Sequence, residues 1–467
     1  MGAGATVAGQ SGTASVGAAG TSGSAGSAGT GGSTASGPLS GTARALWDYT
    51  GIIGTGQSLS VGMAAATITP KATMQPYNNL KLSLGTLTVP PFNADDPALS
   101  LVPLVEPIRA TATTFPSAYP ANIYGETPHT AMAAEMTALA KTGGLSDFVT
   151  VHTVVGENGQ GITWINKNAM EVVNGAATQG RAYKATLFEA TAIKRLAADK
   201  SYGIGAIFLT HGESDAGNAN YENDMLQLWS DYNADLKAIT GQAEDIPLFT
   251  NQEHGIYMYA AGQAPRNVDG STLLEWRAGL DHPDQIICVG PKYQYPYAAD
   301  FLHLVALGYE LMGEKYAEAF YSQVVLGNHW QPLQPLAETI ARNGKVITVD
   351  FHVPYPPLAW DDVLPKPHQV DPVVAAWAQG RGFEVRMGST RLAIESVEIL
   401  DDDTVQITCT DDVPAGATLG YAETSDGAAV AGVSPRWGQL KDSDPFVGDF
   451  TQLPQPNYAV TFELPVP

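Results

Sequence analysis

From Ala45 onward the chain alternates short apolar runs with amphipathic stretches. Strand-like runs fall at about 47–55 (WDYTGIIGT), 147–155 (DFVTVHTVV), 203–210 (GIGAIFLT), 246–250 (IPLFT) and 285–290 (QIICVG). Each has the length of a buried strand and is bounded by glycine or polar residues. Between them, Tyr221, Met225, Leu228, Tyr232, Leu236 and Ile239 recur at spacings of three and four, which predicts a helix with one buried face. A second helix is predicted to begin at His303, with Met312, Tyr316 and Phe320 on one stripe. This alternation predicts an α/β fold: a parallel sheet covered by helices on both faces, with ligands at the carboxyl ends of the strands. Gly56 to Ser60, His211 to Asp215 and Asp300 to His303 all follow such runs.

Three stretches depart from the rhythm. Residues 70–130 are rich in proline and carry Phe92, Phe115, Tyr119 and Tyr124, which reads as a long insertion forming one wall of a cleft. From Lys345 the period becomes two: Ile347, Val349, Phe351 and Val353 alternate with polar residues, and similar alternation recurs at Phe383, Val385, Met387 and at Val405, Ile407, Cys409. That pattern predicts a C-terminal antiparallel β-sandwich. Residues 1–40 are nearly all Gly, Ala, Ser and Thr, the composition of a flexible linker. The expected organisation is linker 1–40, α/β domain 41–342 and β-sandwich accessory domain 343–467.

Charge narrows the partners. With 24 basic against 47 acidic residues the formal charge is −23, so the surface repels phosphate backbones and anionic lipid, and nucleic acid is not an expected partner. No run approaches the roughly 18 apolar residues of a membrane span. No signal segment is visible at the N-terminus. Tethers of this composition often follow a removed secretion signal or lipid anchor, so the expectation is a secreted or cell-surface protein, with a virion or appendage anchor as the alternative. Cys288 and Cys409 lie in apolar strand-like runs and read as buried thiols, although a disulfide between them is compatible with the sequence. Oligomeric state is not encoded in any pattern seen here.

Candidate chemistry sits in three places. Ser58 lies in a turn between Gly56 and Gly62, where the backbone can bend tightly and present the hydroxyl. Asp300 stands three residues before His303, so one turn can hold carboxylate and imidazole together. A carboxylate on Nδ1 fixes the tautomer and leaves Nε2 to take a hydroxyl proton. The plainer reading of the same pair is a helix start with Asp300 as N-cap. In the third segment, His211 to Asp215, Gly212, Ser214 and Ala216 approximate a GxSxG elbow after a strand, so Ser214 competes with Ser58 as nucleophile.

Together these segments resemble the SGNH hydrolases, in particular the sialate O-acetylesterase-like and acetylxylan esterase branch. That branch has blocks reading GQS, a glycine-rich stretch, QGESD and DxxH, in the order found here over about residues 45–325. GQSLS, NGQGIT, HGESD and DFLH are this chain's versions, and GETP at Gly125 to Pro128 also looks familial. The resemblance implies a flavodoxin-like three-layer sandwich and a serine esterase that deacetylates carbohydrate. It assigns Ser58 as nucleophile, Asp300 and His303 as its triad partners, and Gly159 to the oxyanion hole, with Gly161 nearly as good a match. Ser214 becomes a supporting residue, as do Gln57, Glu213 and Asp215. His211 stands where the family has Gln, close to the expected oxyanion region, so a titratable imidazole there is expected to affect oxyanion stabilisation.

The implied reaction is acyl transfer through Ser58 and calls for no metal or organic cofactor. The acidic runs Asp401 to Asp403 and Asp411 to Asp412 read as solvated loops. An acetylated, neutral carbohydrate is the expected substrate. Tyr293, Tyr295 and Tyr297 are candidates to stack on its sugar rings, and Trp437 is a candidate exposed aromatic in the tail. A non-catalytic glycan-binding surface or spike protein on the same scaffold is the alternative.

Overall fold

The apolar runs become neighbouring strands of one sheet. The computed structural model describes residues 37–83, 92–108, 125–169, 180–255, 270–426 and 430–467. Among these, β1 (Tyr49–Gly56), β2 (Leu80–Leu82), β3 (Leu101–Pro103), β4 (Thr150–Val154), β5 (Tyr202–Thr210), β6 (Leu248–Gln252) and β7 (Ile286–Pro291) form a seven-stranded sheet in the order β3-β2-β4-β1-β5-β6-β7. All neighbours are parallel except β2 with β3. The longer parallel strands, counted along the chain, run second, first, third, fourth, fifth across the sheet. That is the doubly wound, flavodoxin-like order, and its switch point lies between β1 and β5.

Both faces are covered, which is why the strands read as continuous apolar runs. Adjacent residues of β1 point to opposite cores. Ile53 packs with Ile204, Ile207 and Leu248 under α3 (Arg181–Leu196) and α4 (Tyr221–Thr240). Ile52 packs with Phe208, Phe249 and Ile287 under α1 (His129–Thr142) and α6 (Ala306–Phe320). On α4, the predicted stripe Tyr221, Met225, Leu228, Tyr232 and Leu236 is buried, and Ile239 packs beside it. Gly241, left-handed at φ 79°, stops the helix by giving its N–H to Lys237 O.

α6 begins at Ala306, three residues later than the periodicity predicts. Asp300 Oδ1 accepts the amides of Leu302 and His303 at 3.1 and 3.0 Å, and Phe301 is left-handed at φ 57°. The segment is therefore a side-chain-capped turn that precedes the helix, not its first turn. Parts of the proline-rich insertion, residues 84–91 and 109–124 with Phe115, Tyr119 and Tyr124, lie outside the described residues, as do residues 1–36 of the predicted linker. Phe92 stacks on Phe188 of α3, ring centroids 5.3 Å apart. Gly37 to Ser40, also assigned to the linker, are held to the body: Leu39 N donates to Tyr355 and Pro38 O accepts from Ser322 and Asn328.

The C-terminal region is antiparallel, as the period of two predicts. One sheet joins Ile394–Ile399, Thr404–Cys409, Val346–His352 and Gln334–Pro335, with Ala341–Asn343 paired to Val346–His352. A second joins Thr390–Leu392, Phe383–Met387, Thr418–Tyr421 and Phe462–Pro465. Ile347, Val349, Phe351, Val405, Ile407 and Cys409 point inward. Their core extends to Trp276 of α5 (Gly270–Asp281), Cys288 of β7 and Tyr293, and Gly37–Pro467 forms one compact unit. Both cysteines are buried and free.

Candidate active site

At the carboxyl end of β1 the backbone turns where only glycine fits. Gly56 has φ +135° and a Cβ there would lie 2.0 Å from Thr210 O on β5. Ser58–Val61 then form a single helical turn, closed by left-handed Gly62, whose N–H bonds Ser58 O. Ser58 is almost wholly buried. The loop after β4 is fastened to this turn. Glu157 N donates to Gly56 O at 2.8 Å, and Gly156 sits so close that a Cβ would meet Ser60 Oγ at 1.8 Å. The loop carries Gly159, left-handed at φ +69°, with open space where a side chain would project. Gly161, the other glycine considered there, lies beside the Asp215 carboxylate instead.

Asp300 and His303 form the second half of the site. His303 Nδ1 lies 2.6 Å from Asp300 Oδ2. Burial opposes ionisation of Asp300, but the hydrogen bonds from the His303 ring and from the amides of His303 and Leu302 outweigh it and bring the carboxyl down to about 2. A carboxylate only accepts, so Nδ1 carries the proton and Nε2 presents a lone pair. Nε2 is buried and has no hydrogen-bond partner among the described residues. The turn is closed by Ala298 N to His303 O at 2.7 Å and by pairing of Tyr297 with Leu304.

The His211 to Asp215 segment links the two halves. Ser214 N donates to Gln57 Oε1 at 3.1 Å, tying this segment to the residue before Ser58. Glu213 Oε1 accepts from Lys292 Nζ at 2.6 Å, which ties it to the start of the loop that leads to Asp300. Burial pushes the Glu213 carboxyl up, yet the charge and hydrogen bond of Lys292 outweigh this and hold it below its ordinary value. Asp215 accepts from Ile162 N at 2.8 Å and from Asn218. The side chain of Ser214 is exposed.

His211 does not serve as expected. It is fully buried, with Nδ1 2.8 Å from Tyr221 Oη and Nε2 2.9 Å from Gln160 O. A carbonyl can only accept, so Nε2 carries the ring's proton and spends it on Gln160. The imidazole has no donor left for an oxyanion; it holds the loop that carries Gly159. Burial lowers its pKa and keeps it neutral.

Two aromatic expectations are also corrected. Tyr293, Tyr295 and Tyr297 are buried and offer no stacking surface: Tyr293 joins the core of the tail, its Oη donating to Ala459 O at 2.6 Å, and Tyr295 and Tyr297 join the core under α1 and α6. Trp437 is buried as well, with Nε1 donating to Pro365 O at 2.7 Å. Lys292 was missed by sequence reasoning. Its signal was a lone lysine directly after an apolar strand. Gln252 and His254, both fully buried at the end of β6, carried no such signal.

No family profile and no curated protein sequence matches the chain. Solved structures do. The fold is shared with XAC1771, a carbohydrate acetylesterase from Xanthomonas citri, at a TM-score of 0.52 and 11% identity over 89% of this chain and 80% of that one. Two more distant likenesses are NanS, with TM-score 0.35 and 12% identity over 58% of this chain and 96% of that one, and Est24, a carbohydrate acetylesterase from Sinorhizobium meliloti, with TM-score 0.30 and 10% identity over 58% and 97%. With XAC1771 the likeness is one of fold.

Proposed function

We propose that the chain is an SGNH-type serine esterase, exported from the cell, that removes acetyl groups from carbohydrate. In this reading His303 Nε2 takes the Ser58 proton as Oγ attacks the ester carbonyl, and Asp300 stabilises the imidazolium that forms. The amides of Ser58 and Gly159 receive the oxyanion. The alcohol leaves with the proton from His303, and water activated by the same imidazole hydrolyses the acetyl-enzyme. The observation that carries the reading is the Asp300 to His303 pair: its buried Nε2 has no partner among the described residues, and its turn and the Ser58 turn follow the carboxyl ends of two parallel strands, β7 and β1, of one sheet. The fold of XAC1771, itself a carbohydrate acetylesterase, supports the substrate class.

The test is release of acetate from p-nitrophenyl acetate and from acetylated xylooligosaccharides by the wild type, Ser58→Ala and Ser214→Ala. Turnover is expected to fall on the order of 10⁴-fold or more in Ser58→Ala and to survive in Ser214→Ala. Activity lost only in Ser214→Ala sinks the assignment of Ser58. No release by the wild type sinks the esterase reading and leaves a glycan-binding scaffold.

A further inference from the structure

The loop from Lys292 to His303 is supported by residues of the C-terminal β-region. Tyr297 N donates to Gly432 O at 3.0 Å, and Tyr293 Oη donates to Ala459 O. The turn after β6 is bound in the same way. Gln252 pairs with the backbone of Thr461: its Oε1 accepts from Thr461 N at 2.7 Å and its Nε2 donates to Thr461 O at 2.8 Å. His254 Nε2 lies 2.7 Å from Thr461 Oγ1, and its Nδ1 lies 3.0 Å from Gln252 O. The Thr461 hydroxyl also reaches Ala422 O at 3.3 Å, and Lys292 N reaches His254 Nδ1 at 3.4 Å, so the imidazole, Thr461 and the start of the Lys292 loop form one buried hydrogen-bonded group. Arg436, itself buried, donates from Nη2 to Gly255 O at 3.2 Å.

Gly255 transmits this hold to the site. A Cβ built on it would lie 3.0 Å from both Cα and O of Leu302, so the two backbones are in contact, and Leu302 is the residue before His303. Moving the Gly255 carbonyl therefore moves the turn on which Asp300 Oδ2 and His303 Nδ1 meet. We propose that Arg436 and Thr461 are positioning residues of the active site, fixing the Gln252 to Gly255 turn and through it the loop that carries Asp300 and His303. The β-region is then a working part of the site and not a separate sugar-binding module. This rests on the serine esterase reading above.

The experiment compares Arg436→Met, Arg436→Lys and Thr461→Val with the wild type in p-nitrophenyl acetate turnover, and follows the downfield proton resonance of the His303 to Asp300 hydrogen bond. In Arg436→Met, kcat is expected to fall about tenfold or more with KM within about twofold, because small misplacement of a reacting group costs up to about 10² in rate. The downfield signal should shift or broaden, Arg436→Lys should recover part of kcat, and Thr461→Val should show a smaller loss of the same kind. A folded Arg436→Met with unchanged kcat, or one with a lower melting temperature but an unmoved proton signal, overturns the proposal. If Arg436→Met does not fold, Thr461→Val decides alone, and unchanged kcat there overturns it. A wild type without turnover overturns both this and the esterase reading, whereas an active wild type beside unaffected variants overturns only the positioning role.

Discussion

At the scale of single residues, the proposed site separates groups placed to react from groups that hold them. His211 illustrates the second kind. Its one N–H is committed to Gln160 O and its lone pair to Tyr221, and burial keeps it uncharged. His211→Gln is therefore expected to leave the pH profile of turnover in place, since no titrating group is removed. A pH-rate profile whose midpoints move with this substitution would mean that His211 titrates in the working range. The Asp300 and His303 pair was legible in the sequence because all of its geometry is local, three residues apart and closed by the aspartate's own side chain. The role of His211 was not, because its decisive partner, Gln160, is 51 residues away and no local pattern encodes that contact.

Among the elements, the five longer parallel strands were readable within a few residues because a parallel sheet covered on both faces needs unbroken apolar runs, whereas β2 and β3, three residues each, went unread inside the proline-rich stretch that reads as a cleft wall. The buried tyrosines were misjudged for the complementary reason. Tyr293 and Tyr297 look like loop aromatics until Ala459 and Gly432, far along the chain, close over them. The late start of α6 follows from Asp300 capping Leu302 and His303, which takes those amides out of the helix. The Gly255 contact belongs to this scale. Gly255→Ala is expected to push the Leu302 backbone and lower kcat about tenfold while the protein stays folded, as small displacements of a catalytic group weigh heavily on rate. Steady-state kinetics beside a thermal melt check this, and a Gly255→Ala variant that keeps the wild-type kcat would show that the loop absorbs the methyl elsewhere.

Across the whole molecule, the tail also grips the opposite face of the sheet. Asp449 N donates to Glu135 of α1 at 2.5 Å, and Thr451 N and Oγ1 donate to Glu314 of α6 at 2.7 and 2.6 Å. Burial, aided by neighbouring carboxylates, raises Glu135 from 4.5 to about 8 and Glu314 to about 7. Both carboxyls hold protons more tightly folded than unfolded, so the folded state carries the extra protons between pH 4.5 and about 8. Their contribution to stability is complete below that window and lost as pH rises through it. The melting temperature of the wild type should thus fall from about pH 5 to about pH 9, and the double variant Glu135→Gln, Glu314→Gln should show a flatter dependence. Parallel curves for the two proteins would remove these carboxyls from the account.

The pairing of Gln252 with Thr461 spans 209 residues, and this sets an order of events during synthesis. The serine turn, the glycine loop and the Asp300 to His303 turn all leave the ribosome before the strand that braces them. A nascent chain carrying every reacting group still lacks the contacts from Gly432, Arg436 and Thr461, and closing so long a loop is a late step of folding. In the proposed esterase, hydrolytic competence would in this way depend on completion of the β-region, and a polypeptide shortened ahead of Gly432 would keep the proposed reacting groups without the contacts that brace them.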